Sequence, residues 1–194
     1  MKPSVFPVAL LEAADAMTMI REHAAEWHVD PDAIAVIGFS AGGHLAANLA
    51  TSTSDDVLVA HGYDPDAVRP NGLMLAYPVI TSGPLAHRGS FDSLLGERRN
   101  DSQALESVSI ERHIDAKTPP VFAWHTVPDE TVPYENTLML IDACKKAGVS
   151  IEAHLFPQGG HGLSLGTAET AWQGVNGIEP VSYTHLTLPT NSLV

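Results

Sequence analysis

Ala33-Ile34-Ala35-Val36-Ile37-Gly38-Phe39-Ser40-Ala41-Gly42-Gly43-His44-Leu45-Ala46-Ala47-Asn48-Leu49-Ala50 is the stretch whose reading decides the fold. Its first five residues are apolar and largely β-branched, which predicts a strand over Ala33–Gly38. Leu45 to Ala50 reads as a helix. Between them lies Gly-x-Ser-x-Gly, and a serine on a sharp strand-to-helix turn has the form of a nucleophile elbow. Such a turn holds Ser40 in a strained backbone conformation, above the sheet and at the positive end of the following helix. Gly38 and Gly42 are expected to be glycine because a Cβ at either would collide with the neighbouring strand or helix.

A hydroxyl is a weak nucleophile until a base takes its proton. Partners for this kind of elbow follow in the order Ser, Asp or Glu, His. Downstream, Pro119-Pro120 punctuates the chain before the strand Val121–His125. Val127-Pro128-Asp129-Glu130-Thr131-Val132-Pro133 comes next and places Asp129 on a loop at a strand's carboxyl end, where open α/β sheets put their chemistry. Ile151–Phe156 reads as a further strand and runs into Pro157-Gln158-Gly159-Gly160-His161-Gly162. Glycines on both sides of His161 leave its ring free to face a partner. Each of the three residues follows a different strand, so a parallel sheet brings them to one edge.

These segments resemble the α/β-hydrolases of the esterase/lipase group, near the acetylxylan-esterase-like and prolyl-oligopeptidase-like small esterases. The resemblance rests on Gly38–His44, on Trp124-His125-Thr126 with Asp129 and Val132-Pro133, and on Gly159–Gly162. It implies that Ser40 is the nucleophile, His161 the general base and then acid, and Asp129 the group that fixes the imidazole tautomer. It also implies that the backbone N–H of Ala41 is an oxyanion donor. Glu130, beside Asp129, is the alternative acid. His125 and His154 fall inside strands and read as satisfied, half-buried residues. His44, on the first turn of the elbow helix, reads as a packing or capping residue.

The fold class expected is α/β, the C-terminal half of an α/β-hydrolase, with about four parallel strands flanked by helices and right-handed crossovers. Pro7–His28 reads as one amphipathic helix, followed by a turn at Asp30-Pro31-Asp32. Thr51–Pro70 is polar, and Gly72–Tyr77 is the second strand. Residues 78–118 form a long connection with short helical pieces near Phe91–Leu95 and Asp101–Leu105, expected as a cap or wall over the site. A helix over Tyr134–Ala147 is closed by Gly148, and a last helix-like stretch is Thr167–Trp172.

The family's sheet is larger, and the strands here match its last four. Its His-Gly-Gly-Gly-type oxyanion loop belongs upstream of the elbow, and no such run precedes Ser40. Residues 1–180 are therefore expected to be an N-terminally truncated domain. Losing one oxyanion donor costs roughly 10² to 10³ in rate, so near-background activity is expected of this chain. The strand Ala33–Gly38 is expected to be an exposed apolar edge and an aggregation hazard. Residues 181–194 break the periodicity and resemble translated sequencing-adaptor read-through; they are expected to be a non-native tail, and His185 is set aside with them.

With 194 residues, 44% hydrophobic and 17% charged, the chain suits one globular domain. A net charge of −13 argues against nucleic acid or an anionic membrane as partner. No run reaches the length of a membrane span. The single cysteine, Cys144, rules out an intrachain disulfide and reads as a small packing residue; a cytoplasmic location is expected. The ten histidines show no metal-ligand spacing, so neither metal nor cofactor is expected. The expected function is hydrolysis of a short-chain carboxylic ester, with acetyl groups on xylan or xylo-oligosaccharides as substrate. A prolyl-oligopeptidase-type peptidase, a formamidase and a non-catalytic binding protein of the same fold are the alternatives.

Overall fold

The computed structural model describes residues 5–166. Three apolar runs become the strands β1 (Ala35–Phe39), β2 (Gly72–Ala76) and β3 (Val121–Thr126), and an alternating apolar-polar run becomes β4 (Ile151–Phe156). They form one sheet in the order β1-β2-β3-β4, every neighbouring pair parallel. All four expected strands are present. The first starts two residues later than expected because residues 30–34 are held in a turn. There Asp32 N–H donates to Asp30 Oδ1 (2.9 Å), and Ile34 N–H donates to the Asn71 side chain (3.1 Å).

The helices follow the sequence pattern with one break. The expected Pro7–His28 helix is two, α1 (Val8–Glu22) and the short α2 (Ala24–Trp27). His23, at φ −99° and ψ 9°, interrupts them; its ring Nδ1 and its backbone N–H both donate to Met19 O (3.0 and 3.1 Å). The elbow helix is α3 (Ala41–Ala50). The polar stretch after it folds into a 3-10 turn, α4 (Asp55–Ala60) and α5 (Pro65–Val68), the last capped by the Asp64 carboxylate. The long connection carries α6 (Arg88–Leu95) and α7 (Ser102–Ser107), and α8 (Glu135–Ala147) ends at Gly148 in the left-handed region. The stretch Thr167–Trp172 and the tail 181–194 lie outside the described residues.

Alternation along the strands divides the sheet into two faces. One face turns Leu73, Leu75, Val121 and Ala123 onto Ala46, Ala47 and Ala50 of α3 and onto Leu140 and Cys144 of α8. Alanines on α3 let its backbone lie close to the strands. Burial pushes the Cys144 thiol up to about 11, which fits an inert packing residue. On the outside of α3, Leu10, Ala14 and Met17 of α1 meet Leu49, Leu58 and Val68. The long connection forms its own cluster through Val79, Phe91, Leu95, Ala104 and Val108, and packs on Val132 beside Asp129. It is thus a wall next to the site. His44 ties α3 to that wall, donating from Nε2 to Val108 O (2.8 Å) and meeting Phe91 edge-on, so its packing role stands.

The opposite face carries Phe39, Met74, Phe122, Trp124, His154 and Phe156. Its rim end is an aromatic cluster of Tyr77 and Trp124 with Phe39, Phe122 and Phe156 against them. Further down, Ile37 is 45% exposed. Among the described residues β1 pairs only with β2, as expected for an apolar edge.

Candidate functional site

Ser40 sits at φ 54°, ψ −122°, between β1 and α3. A non-glycine residue there is strained, and the surrounding backbone must hold it. Ser40 N–H donates to Ala76 O (3.0 Å), while Ser40 O accepts from Gly43 N–H (3.0 Å) and Val79 N–H (3.2 Å). Gly38 has no room for a side chain, since a Cβ would stand 2.4 Å from Gly42 O and 2.7 Å from Gly43 Cα. The expectation for Gly42 is overturned: a Cβ there would meet nothing within 4 Å. The second crowded glycine is Gly43, where a Cβ would lie 2.9 Å from Pro78 Cβ. The reason is rotational. Gly43 is the first-turn residue that faces the sheet, and Gly42 faces away. Ala41 opens α3, and the first N–H groups of a helix have no partner within it.

Asp129 follows β3 in a tight turn and is buried. Its Oδ1 accepts from the amides of Thr131 and Val132, both at 2.9 Å. Its Oδ2 accepts from His161 Nδ1 at 2.7 Å and from His125 Nε2 at 3.2 Å. Burial pushes the carboxyl up, but these four N–H donors outweigh it and hold its pKa well below the usual carboxylate range. Glu130 is exposed, so the turn selects Asp129 of the two neighbouring acids.

His161 lies on the loop after β4, where Gly159 (φ 114°) and Gly162 (φ 85°) supply left-handed turns. A Cβ at Gly159 would stand 2.8 Å from Thr126 Cγ2, so the loop presses directly on the end of β3. With Nδ1 donating to Asp129, the neutral ring turns an acceptor, Nε2, toward Ser40 Oγ at 2.7 Å. The carboxylate side chain is inaccessible to solvent, whereas the imidazole keeps 19% of its surface exposed. Serine, histidine and aspartate thus form one hydrogen-bonded row along the sheet edge. Such a row can move a proton from the hydroxyl to the imidazole while the carboxylate steadies the charge.

Two residues of this site were not singled out from the sequence. Tyr77, at φ 40°, packs edge-to-face on the His161 ring with centroids 4.8 Å apart. Its hydroxyl accepts Ser164 N–H (2.8 Å) and so pins the histidine loop. Its place directly after β2 was the available signal. His125 was read as a half-buried strand residue. It is fully buried and bonded to Asp129. His154, by contrast, pairs with Glu152 (2.8 Å) away from the row. Among the described residues no cluster of His, Cys, Asp or Glu could hold a metal ion, and no helix is long and apolar enough to cross a membrane.

Against known proteins, the sequence matches the BD-FAE family over residues 1–143. It is 34% identical to endo-1,4-beta-xylanase B of Butyrivibrio fibrisolvens across 85% of this chain and 26% of that protein. It is 30% identical to an acetylxylan esterase of Xylanibacter ruminicola across 77% of this chain and 30% of that one. Among solved structures, an acetyl ester-xyloside bifunctional hydrolase from Caldicellulosiruptor lactoaceticus superimposes with a TM-score of 0.74 at 39% identity, covering 85% of this chain and 61% of that one. The carboxylesterase Cest-2923 from Lactobacillus plantarum gives 0.73 at 28% identity, with 90% and 62% covered. The chain therefore spans under a third of those two curated relatives and about three fifths of the two solved ones.

Proposed function

From a chain that belongs to the BD-FAE family of the α/β-hydrolase superfamily, we propose that Ser40, His161 and Asp129 carry out carboxylic ester hydrolysis through a serine ester. The observation that carries this reading is the unbroken row of two 2.7 Å hydrogen bonds from Ser40 Oγ through His161 to Asp129 Oδ2. In it, Ser40 Oγ attacks the acyl carbon and His161 Nε2 takes the hydroxyl proton. Asp129 stays ionised throughout, as its depressed pKa requires, and stabilises the imidazolium. Charge developing on the acyl oxygen meets the N–H of Ala41 at the positive end of α3. The tetrahedral adduct collapses, His161 returns the proton to the leaving alcohol, and water repeats the sequence on the acyl-serine.

The substrate class is proposed as short acyl esters, with acetyl groups on xylan or xylo-oligosaccharides foremost. Support comes from the relatives' names, which include an acetylxylan esterase and an acetyl ester-xyloside hydrolase. Labelling with a fluorophosphonate probe tests the reaction class. Ser40 should be the labelled residue, and Ser40→Ala should remove the label. A panel of p-nitrophenyl acetate, acetylated xylo-oligosaccharides and prolyl peptides then tests the substrate. Cleavage confined to the peptides would replace the esterase reading with a peptidase one, and an unlabelled Ser40 in a parent protein carrying the upstream oxyanion loop would favour a binding protein.

A further inference from the structure

We propose that His125 is a positioning residue for Asp129, a second imidazole that holds the carboxylate from the strand side. Its effect on turnover rests on the hydrolase reading above; its effect on the hydrogen-bond row does not.

His125 is fully buried in β3, four residues before Asp129. Burying an imidazole is costly unless its nitrogens find partners, and both do. Nε2 faces two acceptors, Asp129 Oδ2 at 3.2 Å and Val132 O at 3.0 Å. It therefore carries the ring's proton and shares it between them. Nδ1 faces the hydroxyl of Thr137 on α8 at 2.8 Å. In the neutral ring that nitrogen accepts, so the Thr137 hydroxyl donates and fixes the tautomer.

The consequence falls on Asp129. Two backbone amides fix Oδ1, and on their own they leave the carboxylate free to swing about that atom. His125 and His161 both donate to Oδ2, from opposite sides of the chain: one from the strand, one from the loop after β4. The His125 proton stops the swing and keeps Oδ2 aimed at His161 Nδ1. Thr137 belongs to the same chain of bonds, which runs from α8 through two imidazoles to Ser40 Oγ. A histidine that merely filled the core would be satisfied by Thr137 and Val132 O and would need no shared oxygen on the acid.

Three variants of the full chain test this. His125→Leu keeps bulk and removes the donor. His125→Gln keeps a side-chain N–H that can reach the carboxylate. Thr137→Val is nearly isosteric and releases the tautomer without touching the acid, so it serves if His125→Leu fails to fold. The spectroscopic readout is the low-field proton of His161 Nδ1 and the tautomer of each ring, measured by ¹⁵N-histidine NMR. The kinetic readout is kcat against KM for p-nitrophenyl acetate in a parent protein carrying the upstream oxyanion loop. Expected are a weakened or lost low-field signal in His125→Leu and Thr137→Val, and its return in His125→Gln. A fall in kcat of roughly 10- to 100-fold at unchanged KM is expected for His125→Leu, the scale of one lost hydrogen bond to a charged group. An unaltered low-field proton and unaltered kcat in both His125→Leu and Thr137→Val would overturn the proposal. If a parent protein carrying the upstream oxyanion loop neither turned over ester nor labelled at Ser40, the hydrolase reading would fall, and the proton signal would still decide the role of His125.

Discussion

Alanine at Gly38 and alanine at Gly42 should have opposite outcomes, although the two glycines look equivalent in the motif. At Gly38 the new methyl would stand 2.4 Å from Gly42 O, 2.7 Å from Gly43 Cα and 2.8 Å from Ala46 Cβ. Carbon atoms prefer separations of about 3.5–4.0 Å, so the methyl is too close by roughly 0.7 Å or more. Every obstructing atom is backbone or Cβ, and no rotamer change can yield. Helix α3 must slide off the sheet instead, loosening the Ser40 N–H bond to Ala76 O and the alanine packing on Leu73 and Leu75. The cost should reach about 3 kcal/mol, the upper range for overpacking. At Gly42 the methyl meets open space, and the backbone is not left-handed. Alanine there should be neutral or stabilising by at most about 1 kcal/mol. For a chain of this size about 3 kcal/mol lowers the melting temperature by roughly 6–12 °C. Thermal unfolding followed by circular dichroism should show that drop for Gly38→Ala and none for Gly42→Ala. Equal losses in the two variants would refute the packing argument.

In a parent protein carrying the upstream oxyanion loop, Asp129→Asn should lower kcat by about 10⁴ with the fold intact, since Thr131 and Val132 claim the amide oxygen and leave its NH₂ facing two imidazole N–H groups. His161 must then present Nε2–H to Ser40, and steady-state kinetics would show the base gone; a silent Asp129→Asn beside a severe Glu130→Gln would move the acid by one residue. Tyr77→Phe should cost about 1 kcal/mol in urea unfolding by stranding Ser164 N–H, with faster amide exchange confined to the His161 loop. The Asp129 carboxyl lies below its unfolded value, so its contribution to stability is complete at neutral pH and is lost as acid carries the solution below about pH 4 toward the folded pKa. The stability gap between wild type and Asp129→Asn, measured by urea titration across pH, should therefore close on acidification; a gap that held or widened in acid would contradict the direction of the shift.

The strands and the three polar residues at their ends were legible because each depends on short-range pattern. Apolar runs of five or six residues specify β1 to β3, and apolar-polar alternation specifies β4. A parallel sheet then brings their carboxyl ends together without further information. Features that depend on rotation or on long-range contact were not legible. Whether Gly42 or Gly43 faces Pro78 is a matter of helix phase, and one residue turns it by about 100°. The break at His23 is one residue's departure from helical dihedrals, φ −99° and ψ 9°, which no periodicity reports. His125 looked like a strand filler because its partner lies beyond a turn. Only the Asx geometry of Asp129 folds the carboxylate back over the strand end.

Strain at the rim explains why the site needs the sheet beneath it. Ser40 and Tyr77 leave β1 and β2 with φ of 54° and 40°, and each such residue costs on the order of 1–3 kcal/mol. Neither position is itself a glycine or asparagine, the residues that adopt such φ at least cost. Both are instead clamped by the next strand along: Ser40 N–H to Ala76 O, and Tyr77 N–H to Trp124 O at 2.7 Å. Each clamp continues the parallel hydrogen bonding one residue past the strand end. The core below, from Leu73 and Leu75 to Val121 and Ala123, keeps those strands in register. Two departures from ordinary backbone geometry are thus imposed by regular structure, and they aim the Ser40 hydroxyl and the Tyr77 ring at the same imidazole. The positions of donor and acceptor are thus set by the fold beneath them, and fixed donors of that kind are what electrostatic preorganisation requires.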